Sequence, residues 1–224
     1  MLTLIIETST AKPCLGLAEK GNLFASEIFT SKASHQAASH LAKLLKKNNL
    51  FPKDLKAVAL GIGPGSYTGM RMGALLAEGI SYSLKAPIVT FSSMEAFLPE
   101  EEGDFVVLFD AHLSGVYSLN GEKRDNVLRY ANSYRLLSME NLPSFKNSVT
   151  FISPDAQKLK GRTPPGLLLL ESFPNLEHLA RLSYEKFQSK EFSYPPLNLE
   201  YRKDSNDLFL AEKRKIPYTL PLLS

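Results

Sequence analysis

The chain has 224 residues, 44% hydrophobic and 22% charged, with a net charge of +3. That suits one large or two small globular domains and excludes a long disordered or low-complexity chain. The balance is too weakly basic to argue for nucleic-acid binding by itself. The single cysteine, Cys14, excludes an intrachain disulfide framework and suits a reducing compartment. No apolar run approaches the ~18 residues of a membrane span. Met1 to Ile6 lacks the basic start of a signal peptide. The expectation is therefore a soluble cytoplasmic protein.

Residues 2–8 predict a buried strand, apolar and β-branched, followed by the polar turn Glu7-Thr8-Ser9-Thr10. Cys14 to Ala18 and Leu23 to Phe29 predict two more strands, joined at the hairpin signal Gly21-Asn22. Ser34 to Lys47 predicts a helix, with Ala37, Ala38, Leu41, Leu44 and Leu45 on one stripe. Ala57 to Leu60 is a strand. It runs into the glycine turn Gly61-Ile62-Gly63-Pro64-Gly65 and a helix that Ser66 or Thr68 caps. That helix carries Gly69, Gly73, Ala77 and Ser81 four apart, on one face. Helical glycine costs up to about 1 kcal/mol relative to alanine, so the face implies close approach of another backbone. Ala86 to Phe91 is a fifth strand. Ser92-Ser93 then caps a short helix.

The acidic, breaker-rich stretch Pro99 to Asp104 is the best internal boundary. It divides the chain into residues 1–99, 104–202 and a tail 203–224. Phe105 to Phe109 restarts the pattern with a strand ending in Asp110-Ala111-His112. Gly115 to Leu119 is a strand with Asn120-Gly121 as its turn. Arg129 to Leu136, Ser148 to Ile152 and Leu167 to Leu170 are further strands, and Leu176 to Gln188 is a helix. The tail from Tyr194 reads as extended, packed through Leu197, Leu199 and Tyr201. The result is an α/β fold of two lobes whose second half restarts like the first.

The chemistry-bearing residues leave several readings open. Gly63, Gly65 and Ser66 at a strand-to-helix junction could offer amides to an anion. No lysine completes a P-loop, however, and the pattern is equally a turn that packs a helix on a sheet. His35 and His40 are five apart, about 140° around a helix, so they do not share a metal. Ser66 is not in a Gly-x-Ser-x-Gly elbow. Cys14 reads as a small core residue. Glu7 and Asp110 end strong strands, one per half, and could flank a Mg-nucleotide with Thr8 and Ser9; acids at strand ends are also common without a function.

Gly63-Pro64-Gly65-Ser66-Tyr67-Thr68-Gly69-Met70-Arg71-Met72-Gly73 resembles the signature GPGSFTGLRIG of the TsaB (YeaZ) family. Residues 4–10 resemble its LAIDTST, Ser34-His35-Gln36 its first helix start, Phe91 to Ala96 its VSSLEAL, and Asp110 to Tyr117 its DARxxEVY. The likeness covers residues 1 to about 120. Beyond that, Pro196 to Arg202 only echoes its PxYLR. The resemblance implies an actin/Hsp70-like (RNase H-like, ASKHA) fold of two related lobes. It implies a non-catalytic subunit, related to the M22 glycoprotease-like proteins, that pairs with a TsaD-like catalytic subunit and a TsaE-like ATPase. Their complex places threonylcarbamoyl on N6 of adenosine 37 in tRNAs reading codons that begin with A.

It further implies no cofactor held tightly by this chain, ATP and Mg entering through the partners, tRNA reached through the complex, and a homodimer when the partner is absent. The partner surface it implies comprises Gly69, Met70, Gly73, Ala77 and Ser81 with His35, Ala38 and Leu41. The family's aspartate is Glu7 here, its arginine is His112, and the H-x-x-x-H metal motif of TsaD-like proteins is replaced by H-x-x-x-x-H. An independent ATPase or kinase of the same fold is the main alternative. A self-associating chaperone and a metalloprotease are the others, the last lacking its ligand pair.

Overall fold

The computed structural model describes residues 1–30, 36–112, 115–125, 127–131, 133–142 and 149–197. The first lobe is built on β1 (Leu2–Glu7), β2 (Cys14–Glu19), β3 (Asn22–Ile28), β4 (Ala57–Gly61) and β5 (Ile88–Phe91), in the spatial order β3-β2-β1-β4-β5. β1, β2 and β3 pair antiparallel, while β4 and β5 join parallel. The second lobe is built on β6 (Gly103–Asp110), β7 (Val116–Arg124), β8 (Val127–Tyr130), β10 (Val149–Ser153) and β11 (Leu169–Glu171), with the short β9 (Arg135–Leu137) alongside β7. Its order, β11-β10-β6-β7-β8, has the same pattern: an antiparallel meander, then two parallel additions beside its first strand. The restart at Phe105 is therefore a repeat of sheet topology, and Glu7 and Asp110 end equivalent strands.

The helices are not repeated to the same extent. The first lobe inserts α1 (Ala37–Lys47) before β4 and the 18-residue α2 (Tyr67–Leu84) before β5. Between β10 and β11 the second lobe has only the single-turn α3 (Ala156–Leu159). α1 and α2 cover one face of the first sheet through Leu41, Leu44, Leu45, Ala74 and Ala77, which join Leu4, Ile6, Val58 and Leu60. The other face carries Ile5, Ala18 and Ala59 into a core shared with Phe105, Val107 and Phe109 of the second sheet. This alternation follows from the period of two along a strand.

α4 (Leu176–Gln188) completes that shared core with Leu176, Leu179 and Ala180, and it packs on β1, β2, β3 and β5. Ser193 then exchanges two backbone hydrogen bonds with Ile88 on the edge of the first sheet. Residues 176–197 thus return to the first lobe, which the expected division at 104–202 does not anticipate. The apolar stripe of α4 has to be covered, and it meets sheet one.

Two local expectations are corrected. Asn120-Gly121 lies inside β7, not in a turn. Gly121 is there because a β-carbon would run into the Phe105 ring. Arg129 to Leu136 is divided between β8 and β9, with backbone at residues 131 and 134 outside both strands. Leu197 packs on the first-lobe core as expected. Leu199 and Tyr201 lie outside the described residues, as does all of residues 203–224.

Candidate functional site: the two strand-end loops and helix α2

The loop after β1 is buried along its whole polar length, from Glu7 through Thr10. Ser9 donates its backbone N–H to Glu7 Oε1 at 2.6 Å and its hydroxyl to the same oxygen at 2.7 Å. Ser93 Oγ lies 2.8 Å from Ser9 Oγ and accepts the N–H of Gly63 at 2.9 Å. Gly63 N–H donates to Ser93, the Ser93 and Ser9 hydroxyls bond one another, and Ser9 bonds Glu7. Three segments, those following β1, β4 and β5, are joined by this chain of bonds. Glu7 Oε2 has no partner, and a β-carbon on Gly61 would overlap it. Burial raises the Glu7 carboxyl above its usual range, against the lowering effect of bonds from Ser93 and Ser9. Burial, then the negative charge of Glu7, also raises the Cys14 thiol, which sits in the core as expected.

The glycine turn aims α2. Gly63 has a left-handed φ of 100°, which side-chain-bearing residues rarely adopt. Ser66 is the N-cap, its hydroxyl accepting Gly69 N–H at 3.2 Å, and its own N–H donates to Ser9 carbonyl at 2.6 Å. Thr8 donates its hydroxyl to the Gly69 carbonyl at 2.8 Å. β-Carbons at Gly69 and Gly73 would collide with Thr8, its carbonyl in the first case and its hydroxyl in the second.

The close-approaching backbone inferred from the small residues is therefore this chain's own β1 loop. Gly69, Met70, Gly73, Ala77 and Ser81 are all buried, and so is Leu41. These six positions do not form an open partner surface, because sheet one and its loop already occupy that face. Of the other two expected positions, Ala38 is exposed and His35 lies outside the described residues.

The opposite face of α2 is the open one. Thr68, Met72, Leu75, Gly79 and Tyr82 follow one another at intervals of four, three, four and three. This is the spacing of an apolar helix-pairing seam. Leu75 is 57% exposed and Tyr82 84%, and a β-carbon on Gly79 would meet nothing within 4 Å. The sequence carries this signal as plainly as the small stripe; the two lie on opposite sides of one helix.

In the second lobe Asp110 is likewise tied inward. Its Oδ1 accepts His112 N–H at 2.9 Å and Arg162 Nη1 at 2.8 Å, and Arg162 Nη2 donates to the His112 carbonyl at 2.7 Å. Asp155 accepts Asp110 N–H at 3.3 Å and pairs with Lys158 at 2.7 Å. Arg162, Asp155 and Lys158 carry no motif and become visible only in three dimensions. Replacing Arg162 by Ala is expected to cost about 1 kcal/mol, because the pair is partly solvated. Lysine should not restore it, lacking the two-pronged guanidinium. Denaturant midpoints of the two variants check this.

Glu7 and Asp110 thus engage internal partners rather than one another, and Thr8 and Ser9 use their hydroxyls within the loop. The turn residues Gly63 and Gly65 lie against Met70 and Ser9, leaving Ser66 as the exposed member of that group. Beside Gly63 the lobes leave a cleft of about 240 Å³. It lies below the usual size of small-molecule sites. Its wall is cross-tied: Tyr130 hydroxyl donates to Glu95 carbonyl at 3.2 Å, and Lys186 to Thr90 carbonyl at 3.1 Å. Lys12 of the first loop also reaches Glu171 at 2.7 Å, its ammonium 4.2 Å above the Phe173 ring. Among the described residues, no three His, Cys, Asp or Glu side chains converge as a metal site. His40 instead bonds Glu27 at 2.6 Å and stacks on Phe29. No described helix is long and apolar enough to cross a membrane.

Two mixed sheets that repeat one five-strand order, with loop-borne acids at equivalent strand ends, define a two-lobed α/β protein. A family model described as "TsaD: tRNA N6-adenosine threonylcarbamoyltransferase" matches residues 27–158, more than half of the chain. The chain is 32% identical over 123 residues to the tRNA threonylcarbamoyladenosine biosynthesis protein TsaB of Bacillus subtilis, covering 53% of this chain and 54% of that one. With the protein of the same name from Haemophilus influenzae it is 28% identical over 123 residues, covering 52% of each. The matched region spans about half the length of these relatives. YeaZ from Pseudomonas aeruginosa superposes with a TM-score of 0.73 over 87% of this chain and 97% of its own, at 20% identity, and so shares the fold. The chain belongs to this TsaD-related family, on its TsaB (YeaZ) side.

Proposed function

We propose that this chain is a non-catalytic accessory subunit in the formation of N6-threonylcarbamoyladenosine at position 37 of tRNAs reading codons that begin with A. It works by pairing with a TsaD-like catalytic subunit. The observation that carries this reading is the outward stripe of α2. It is the heptad-spaced face of the helix that the signature motif positions, and its apolar members Leu75 and Tyr82 are exposed. The names of the relatives support the pathway. The engagement of both strand-end acids with internal partners supports a structural rather than a catalytic role. Through the assembly the chain meets a TsaE-like ATPase and tRNA; ATP and Mg bind the partners, and the same stripe pairs two copies when the partner is absent.

The test is reconstitution of tRNA threonylcarbamoylation from purified components, with and without this chain. Activity should vanish on omission, and the chain alone should neither modify tRNA nor bind Mg-ATP in a titration. Turnover by the chain alone would refute the proposal. Leu75→Asp and Tyr82→Asp probe the surface. As exposed substitutions they should change stability by no more than ~0.5 kcal/mol. Affinity for the catalytic subunit should fall at least about tenfold, or ~1.4 kcal/mol. Undiminished binding by both variants would remove α2 from the interface.

A further inference from the structure

The first lobe has a second end, opposite the strand-end loops. There β1, β4 and β5 begin, and α1 and α2 finish. Lys56 donates its N–H to the Leu2 carbonyl at 2.8 Å just before β4, and α2 closes on Lys85 just before β5. The fold thus gathers Lys43, Lys46 and Lys47 of α1, Lys53 and Lys56 of the connector, and Lys85 of α2. All six are exposed, and among the described residues none pairs with a carboxylate. Lys56 reaches only the Lys53 carbonyl, at 3.2 Å. The acids of this end are occupied. Asp54 accepts the Phe51 N–H at 2.7 Å, and Glu19 lies 3.8 Å from the Met1 amino group. Glu185 and Glu191 go with α4, on the other face of the sheet. A chain with a net charge of +3 therefore concentrates six lysines in one place.

Helix C-termini favour cations, which accounts for Lys46, Lys47 and Lys85. It does not account for Lys53 and Lys56 in the connector, nor for Phe51. That ring is 64% exposed at the start of the same connector, with the Lys53 ammonium 5.5 Å from its centre. The turn Pro52–Asp54 and the bond to Asp54 fix the backbone that carries it. Unpaired ammonium groups around an exposed ring are what a nucleic-acid surface needs: the cations meet phosphates, and the ring stacks on an unpaired base. We propose that this end of the first lobe contacts tRNA directly, the lysines on its phosphate backbone and Phe51 against a base. That the RNA is a tRNA rests on the function proposed above; the contact itself rests on the lysines and the ring. The patch adjoins Tyr82 at the end of the α2 stripe, so RNA held here and a partner on that stripe lie side by side.

Fluorescence anisotropy of an unmodified tRNA transcript, titrated with the full chain at several salt concentrations, tests this. The parent should bind with a Kd on the order of 10–100 µM at physiological salt. Lys47→Gln, Lys53→Gln and Lys56→Gln together should weaken binding at least about tenfold and reduce the slope of log affinity against log salt by about two to three. Arg129→Gln, Arg135→Gln and Lys160→Gln remove the same charge from exposed positions of the second lobe and should leave the slope unchanged. Phe51→Ala should weaken binding about fivefold or more at an unchanged slope. An absence of tRNA binding, or equal losses from the two triple variants, would overturn the proposal. So would capture by phosphatidylserine vesicles without tRNA binding, since the surface would then belong to a membrane. Full affinity in Phe51→Ala would overturn the stacking contact. Reconstitution separates this from the subunit reading. A chain that binds tRNA through these lysines but is dispensable for threonylcarbamoylation would uphold the contact and refute that reading. A chain that is required but binds no tRNA would refute the contact alone.

Discussion

The double substitution Gly69→Ala, Gly73→Ala is expected to lower the unfolding midpoint of the chain by roughly 4–12 °C. Each methyl enters space that Thr8 already fills, and at Gly69 the obstacle is a backbone carbonyl. That carbonyl cannot rotate away, because its residue continues directly from β1. Overpacking of this kind costs about 1–3 kcal/mol per site. Alanine's better helix propensity returns up to ~1 kcal/mol at each position. The net loss is about 2–3 kcal/mol, worth some 2–4 °C per kcal/mol for a chain of this size. Thermal unfolding followed by circular dichroism measures it. An unchanged midpoint would mean that α2 stands further from the β1 loop than described here. These glycines are therefore unsuitable for testing a partner surface: lost binding would report a displaced helix.

The second large effect is pH dependence at Glu7. Its folded-state carboxyl titrates above the unfolded value, so the folded chain holds the proton more tightly. The stability this provides is fully present below the unfolded value of 4.5 and is lost as pH rises through the folded one. Between those limits the loss approaches ~1.4 kcal/mol per pH unit for one group. Glu7→Gln removes the titration while keeping the shape and the oxygen that Ser9 uses. The variant should gain stability relative to the parent as pH increases from 4.5 toward 8, and the gap should close again in acid. Paired urea titrations at several pH values check the sign. A gap that widens in acid would show that the carboxylate, not the acid, is the form the fold prefers.

Much of the strand framework was legible because burial leaves a direct mark on it. β1, β4 and β6 are short apolar runs ended by polar or glycine-rich turns, and their ends were placed within a residue or two. Asn120-Gly121 misled because a dipeptide that favours a turn also fits where a ring needs room. The inward direction of the small stripe was not legible. Gly69 and Gly73 announce a close neighbour, but only the pairing of β1 with β4 makes that neighbour Thr8. The acids were found at the right strand ends, while their partners were not. Arg162 is 52 residues from Asp110 and Ser93 is 84 from Ser9, and no local pattern encodes such meetings.

The return of α4 and Ser193 to the first sheet bears on how this chain is made. A ribosome delivers residues 1–99 first, yet the face of that sheet opposite α1 and α2 is covered in full only when the second sheet and then α4, ending at residue 188, have emerged. The edge of β5 waits longer still, until residue 193. The amino-terminal half therefore cannot close as an autonomous unit during synthesis. Until α4 arrives it carries a partly open apolar surface, and a message cut short before that point yields an incomplete lobe rather than a smaller working one.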